Sequence, residues 1–188
     1  MEINLDPELK AVTEAALALD RPHAADVPLP AFRAGYVMAS QMQGVTDVVC
    51  DKVDDLEIPG PASTIPARLY VPAGTKDTET PGMVFIHGGG FMIGDLDSHD
   101  SLCRQLAHHS GCRIIAIDYR LAPEHKFPAA VDDAIAAASW VYNNAATYHI
   151  NPERIAIGGD SAGGNLSAVV ANHFNQHDGP KLAFQLLI

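Results

Sequence analysis

The spacing of apolar residues along this chain changes near residue 44. Before that point, Leu9, Val12, Ala16 and Leu19 recur at helical intervals behind Asp6-Pro7. That pair reads as an N-cap followed by proline at the first helical position. A proline-rich connector over 21–30 ends this helix, and a second helical stretch runs through Phe32, Tyr36, Met38 and Met42. Beyond residue 44, short apolar runs take over. Strands are expected at 45–53, 67–71, 83–87, 113–118, 154–158 and 183–188, with Pro59, Gly60, Pro61, Pro72 and Gly74 as turn punctuation. Helices are expected at 98–110, with Ser98 as N-cap and Gly111 just past the end, at 128–145, and at 162–177 before Gly179-Pro180. Strands alternating with helices of this length imply crossover units and a mainly parallel sheet, hence an α/β fold. The expected organisation is an N-terminal helical cap segment over 1–44, then an α/β domain over 45–188.

Composition narrows the function classes. The chain has 188 residues, of which 47% are hydrophobic and 19% charged, as in a globular domain. Asp and Glu number 23 against 12 Lys and Arg, a net charge of −11. A surface of that sign repels phosphate backbones and anionic membranes, so nucleic acid is not an expected partner. The polar, acidic start Met1-Glu2-Ile3-Asn4 lacks the features of a signal peptide, and no apolar run reaches membrane-span length. Cys50, Cys103 and Cys112 are odd in number and irregularly spaced, which fits neither a disulfide framework nor a zinc site. A soluble, cytoplasmic chain is expected.

The strongest chemical signal is Gly159-Asp160-Ser161-Ala162-Gly163, a G-x-S-x-G run between an expected strand and an expected helix. That context is the one a nucleophile elbow requires. Serine at the apex of a sharp strand-to-helix turn is backbone-strained, and flanking glycines let neighbouring segments approach. The apex also stands at a helix N-terminus, which favours developing negative charge. The glycines do not fit a dinucleotide fingerprint, and no P-loop is present.

A second signal is His87-Gly88-Gly89-Gly90-Phe91, directly after the strand at 83–87. Acyl transfer needs amide donors aimed at an oxyanion, and residues without side chains let the backbone reach it. Taken alone, such a run is equally a flexible loop. Beside a serine elbow it reads as an oxyanion hole, with Gly88, Gly89 and Ala162 as donors. His87 is expected to brace the loop rather than to act as a base.

With these motifs in place, HGGGFMIGD at 87–95, DYRLAPEHKFPAA at 118–130 and GDSAGGNL at 159–166 resemble the hormone-sensitive-lipase-like (bacterial family IV) esterases of the α/β-hydrolase superfamily. The resemblance spans essentially the whole chain and includes the helical segment before the first strands. It implies an α/β-hydrolase fold, hydrolysis of short-acyl carboxylic esters, and no cofactor or metal. It implies Ser161 as nucleophile, with Gly88, Gly89 and Ala162 around the oxyanion. The middle motif, with Tyr119, Arg120, Pro123, Glu124 and Pro128, resembles a structural segment beneath the active site, with no catalytic role.

In that fold the acid and the histidine of the triad follow the serine along the chain. Of the residues after Ser161, His173 lies on the following helix, about 18 Å away at 1.5 Å per residue, and His177 and Asp178 lie further. His173 and His177 have metal-ligand spacing but no obvious third ligand. His99, His108, His109, His125 and His149 are expected on the surface or in loops, and His23 in the cap connector. The expectation is the N-terminal portion of a longer esterase, with its triad acid and histidine outside this sequence. Phe91, Phe32 and Tyr36, with Met38 and Met42, are candidates for an apolar substrate pocket. The rival reading is a non-catalytic small-molecule-binding protein on the same scaffold, like the plant hormone receptors of this superfamily. Amide or lactone hydrolysis shares the same chemistry.

Overall fold

The computed structural model describes residues 5–19, 22 and 26–188. The Met1–Asn4 start and His23 lie outside the described residues. Two compact units are present, Met1–Phe32 and Arg33–Ile188. In the first, helix α1 (Pro7–Leu17) starts where Asp6-Pro7 predicts. The Glu8 amide donates to Asp6 Oδ1 at 2.9 Å, the bond an N-cap carboxylate is expected to accept. Helix α2 (Leu29–Gln43) takes Pro30 into its first turn, where a missing amide proton costs nothing.

The second unit is built on a six-stranded sheet. Its strands are β1 (Cys50–Pro59), β2 (Thr64–Pro72), β3 (Thr80–Ile86), β4 (Arg113–Ile117), β5 (Ile150–Gly159) and β6 (Phe184–Leu187), in the order β1-β2-β4-β3-β5-β6. Pairs β3–β4, β3–β5 and β5–β6 are parallel, whereas β1–β2 and β2–β4 are antiparallel. Five strands therefore run one way and β2 runs against them. Helices α3 (Asp100–Ser110), α4 (Ala129–Asn143) and α5 (Ala162–Gln176) complete the crossovers.

The uninterrupted apolar runs of the central strands follow from burial on both faces. Val84, Ile86, Ile115 and Ile117 join a core with Ala134, Ala137 and Val141 of α4 and Leu166, Val170 and Phe174 of α5. Their sequence neighbours Met83, Phe85, Ile114 and Ala116 face the opposite way, against Cys103 and Ala107 of α3. Period-2 alternation thus divides each strand between two cores.

Two local expectations are corrected. The first strand begins at Cys50 rather than at 45 and continues to Pro59, while Val45 and Val49 are exposed. Its second half alternates apolar Leu56 and Ile58 with acidic residues, the pattern of an edge strand with one wet face, and an edge tolerates proline. Ser98 does not cap α3, which starts one residue later with His99 at the cap position. Ser98 instead closes the preceding turn: its amide donates to Asp95 Oδ1 at 2.7 Å and its Oγ accepts from the Asp95 amide at 2.9 Å. Gly111 ends α3 in the left-handed conformation, φ 68°, as expected.

Candidate active site

Strand β5 ends at Gly159, and α5 begins at Ala162. Between them Ser161 has φ 52° and ψ −114°, a conformation that costs a non-glycine residue roughly 1–3 kcal/mol. The turn is held tightly. The Ser161 amide donates to Ile188 O at 2.8 Å, the Gly163 amide to Asp160 O at 2.8 Å, and the Asn165 amide to Ser161 O at 3.0 Å. A Cβ on Gly163 would collide with the Ile86 carbonyl, so only glycine lets α5 come this close to the end of β3. Ser161 occupies the N-cap position, yet its side chain makes no capping bond. Its hydroxyl is exposed and has no hydrogen-bond partner among the described residues. The elbow therefore presents a free serine hydroxyl at a helix N-terminus.

The glycine loop leaves the sheet beside it, because Ile86 pairs with Gly159 across β3 and β5. Gly89 has φ +114°, and a side chain there would strike the Ile93 backbone. The sequence expectation is corrected at Gly88. Its single amide proton is donated to Asp160 Oδ1 at 2.9 Å, so it is engaged before any substrate arrives. The amides of Gly89, Gly90 and Ala162 meet no acceptor among the described residues. Gly89, Gly90 and Ala162 thus keep free amide donors, whereas Gly88 does not.

His87 braces this loop as expected. Its ring is 2% exposed, stacks on Tyr119 at 4.4 Å between centroids, and places Nδ1 2.8 Å from Gly88 O. The Tyr119 hydroxyl donates to His87 O at 3.0 Å, and burial pushes that phenol's pKa up, so it stays a donor. His99 departs from the surface position expected of it. It is buried, with Nε2 3.3 Å from Asp160 Oδ1 and Nδ1 3.0 Å from Ser98 Oγ. Burial by itself would raise the Asp160 pKa, but the bonds to His99 and to the Gly88 amide hold it below the usual carboxylate range. Asp160 is thereby an ionised strut between elbow and loop.

The 118–128 segment acts from the other side. Arg120 forks onto Asp133 of α4 with bonds of 2.8 Å, and the Ala122 amide donates to Phe91 O at 2.9 Å. Arg33 joins this arrangement without having been singled out from the sequence. Its Nε donates to Met92 O at 2.9 Å, Nη2 to Ala122 O at 3.0 Å, and both Nη atoms to the Glu124 carboxylate at 2.9 and 2.8 Å. One signal was available: Arg33 is the sole charged residue of α2 and has no acid within a turn.

Phe91 borders a cleft of about 530 Å³ that runs from Gly90 past Asn165, one turn beyond Ser161. Phe127, Val131, Leu166 and Val169 make most of its wall apolar. Tyr36 lies elsewhere, its ring 6.3 Å from that of His99. Phe32 falls in the N-terminal unit. Met38 and Met42 are exposed and line none of this cleft. His108, His109, His125 and His149 are exposed, as expected. His173 and His177 stack on each other, and no cluster suited to a metal ion occurs among the described residues. No helix among those residues is long and apolar enough to cross a membrane.

A protein-family model described as the alpha/beta hydrolase fold matches residues 83–188. The carboxylic ester hydrolase LipN of Mycobacterium tuberculosis is 56% identical over 119 residues, covering 63% of this chain and 31% of LipN. The esterase LipI of the same organism is 47% identical over 137 residues, covering 72% of this chain and 43% of LipI. The chain thus spans less than half the length of these curated relatives. Among solved structures, the ester-hydrolase EH1AB1 from the metagenome of Lake Arreo, complexed with a derivative of bipyridine phosphonate, has a TM-score of 0.91 and 39% identity, covering 98% of this chain and 60% of that one.

Proposed function

The chain belongs to the alpha/beta hydrolases, among the hormone-sensitive-lipase-like esterases, and from that premise we propose that it carries the nucleophile and the oxyanion-binding loop of a serine carboxylesterase. The carrying observation is a Ser161 hydroxyl on a strained elbow, beside a loop whose Gly89 and Gly90 amides, like that hydroxyl, have no partner among the described residues. In the proposed mechanism Ser161 Oγ attacks the ester carbonyl carbon. The carbonyl oxygen, now anionic, is held by the amides of Gly89, Gly90 and Ala162. A histidine takes the serine proton and passes it to the leaving alcohol, and water then releases the acyl group. Ser161 has no basic partner among the described residues, and that histidine and its acid come from outside this sequence. The cleft beside Phe91 would hold a small acyl or alcohol group, which suits short-acyl esters.

The test is hydrolysis of p-nitrophenyl acetate and butyrate by the purified protein beside Ser161→Ala, with intact mass recorded on the same sample. Turnover lost in Ser161→Ala supports the esterase. Equal turnover in both proteins rejects Ser161 as nucleophile. The unpartnered hydroxyl also favours a second reading, reversible binding of a small molecule on the same scaffold. A fluorophosphonate separates the two, because an esterase forms a Ser161 adduct and a binding protein resists it.

A further inference from the structure

We infer that Arg33 is a positioning residue for the oxyanion loop: one guanidinium fixes the Phe91–Met92 end of the loop and thereby sets the direction of the Gly89 and Gly90 amides. This rests on the esterase reading above. The loop has two ends to secure. Upstream, Gly88 is bonded to Asp160 and His87 is stacked on Tyr119. Between lie two glycines whose amides must stay free; Gly89 is held through its carbonyl, which accepts from the Met92 and Ile93 amides at 3.1 and 3.0 Å, so its placement follows that of 92–93. Downstream, Phe91 has φ +62°, a conformation that a phenylalanine does not hold unaided. Two contacts from outside the loop hold it there: the Ala122 amide on Phe91 O and Arg33 Nε on Met92 O.

Geometry explains why arginine is needed. Glu124 takes both terminal nitrogens side by side, which locks the guanidinium plane. In that plane Nε points at Met92 O while Nη2 also reaches Ala122 O, so one planar group joins the two backbone segments that meet at Phe91. A lysine ammonium keeps the charge but cannot span these four acceptors in one orientation. The Arg33 side chain is 29% exposed and touches no reacting atom, so its effect acts through the loop.

The experiment pairs steady-state kinetics with amide hydrogen exchange on purified protein that also carries the triad histidine and acid, comparing wild type with Arg33→Ala, Arg33→Lys and Glu124→Gln. For Arg33→Ala we expect kcat to fall roughly tenfold or more while KM stays within about twofold, since misaimed donors are felt mainly in the transition state. Arg33→Lys should be nearly as impaired, and Glu124→Gln less so. Amides of Met92, Ile93 and Ala122 should exchange faster in Arg33→Ala, with the sheet amides unchanged. A kcat that survives Arg33→Ala, or a full rescue by lysine, overturns the inference. So does unchanged exchange over 91–93. If the wild type itself shows no Ser161-dependent turnover, the esterase reading fails, and the exchange data alone decide whether Arg33 anchors the loop.

Discussion

The serine elbow and the glycine loop leave the ends of neighbouring parallel strands, yet they are held by different means. The elbow is local. Its strain at Ser161 is contained by β5 on one side, α5 on the other, and backbone bonds spanning a few residues or reaching the end of β6. The loop is held at a distance. Residues 33, 119, 122 and 160 each supply one hydrogen bond to it, and none of them adjoins it in sequence. A serine elbow encoded within five residues therefore stands beside a loop whose arrangement exists only after the whole sheet has assembled.

Substitutions can break or sharpen that contrast. The largest effect is expected for Ser161→Ala in protein that also carries the triad histidine and acid, with kcat falling roughly 10⁶-fold and the thermal midpoint unchanged, as read by hydrolysis and by calorimetry. Next comes Gly163→Val. Its side chain has no place to go but the Ile86 carbonyl, so a stability loss of about 3 kcal/mol or more is expected in urea unfolding. Gly90→Ala is the control on the loop side. Space is open beside Gly90 and only its φ of +61° resists a side chain, so a loss of about 1–2 kcal/mol is expected, with kcat more affected than stability.

Asp160→Ala tests the strut between the two regions. It leaves the Gly88 amide without its acceptor and His99 without its carboxylate, and should destabilise by about 1–3 kcal/mol. The pH dependence has a definite sign. Asp160 has a depressed pKa in the folded state, so its contribution is fully present above the usual carboxylate value and is lost as pH falls through the folded one. Unfolding curves at neutral and acid pH should therefore converge between wild type and Asp160→Ala as the solution is acidified. Curves that stay apart at low pH would mean that the carboxylate charge is not what joins the regions. The smallest effect is expected for Phe91→Ala. It should shift KM between acetyl and butyryl esters by about two- to fivefold with little change in kcat, because one half-open cleft wall is removed.

Much of this was legible in the chain. Strands β3, β4 and β5 read clearly as short apolar runs, the elbow showed its serine between strand and helix, and Gly111 marked the end of α3. The errors cluster where one side chain had two options. Ser98 was free to cap a helix or close a turn with Asp95, and only the packed position of His99 beside Asp160 selects the turn. Likewise three consecutive glycines do not reveal which amides remain free. That depends on Asp160 taking the first of them.

Sequence by itself determined the alternation of strands and helices, the serine at its strained apex and the need for side-chain-free residues beside it. These follow from short-range sterics and hydrophobic period, which act within a few residues. Tertiary structure alone decided which loop amides stay free, the burial of His99 and the grip of Arg33 on Met92. A hydrogen bond joining residues 59 positions apart has no local signature, because its direction exists only once sheet and helices have brought donor and acceptor together.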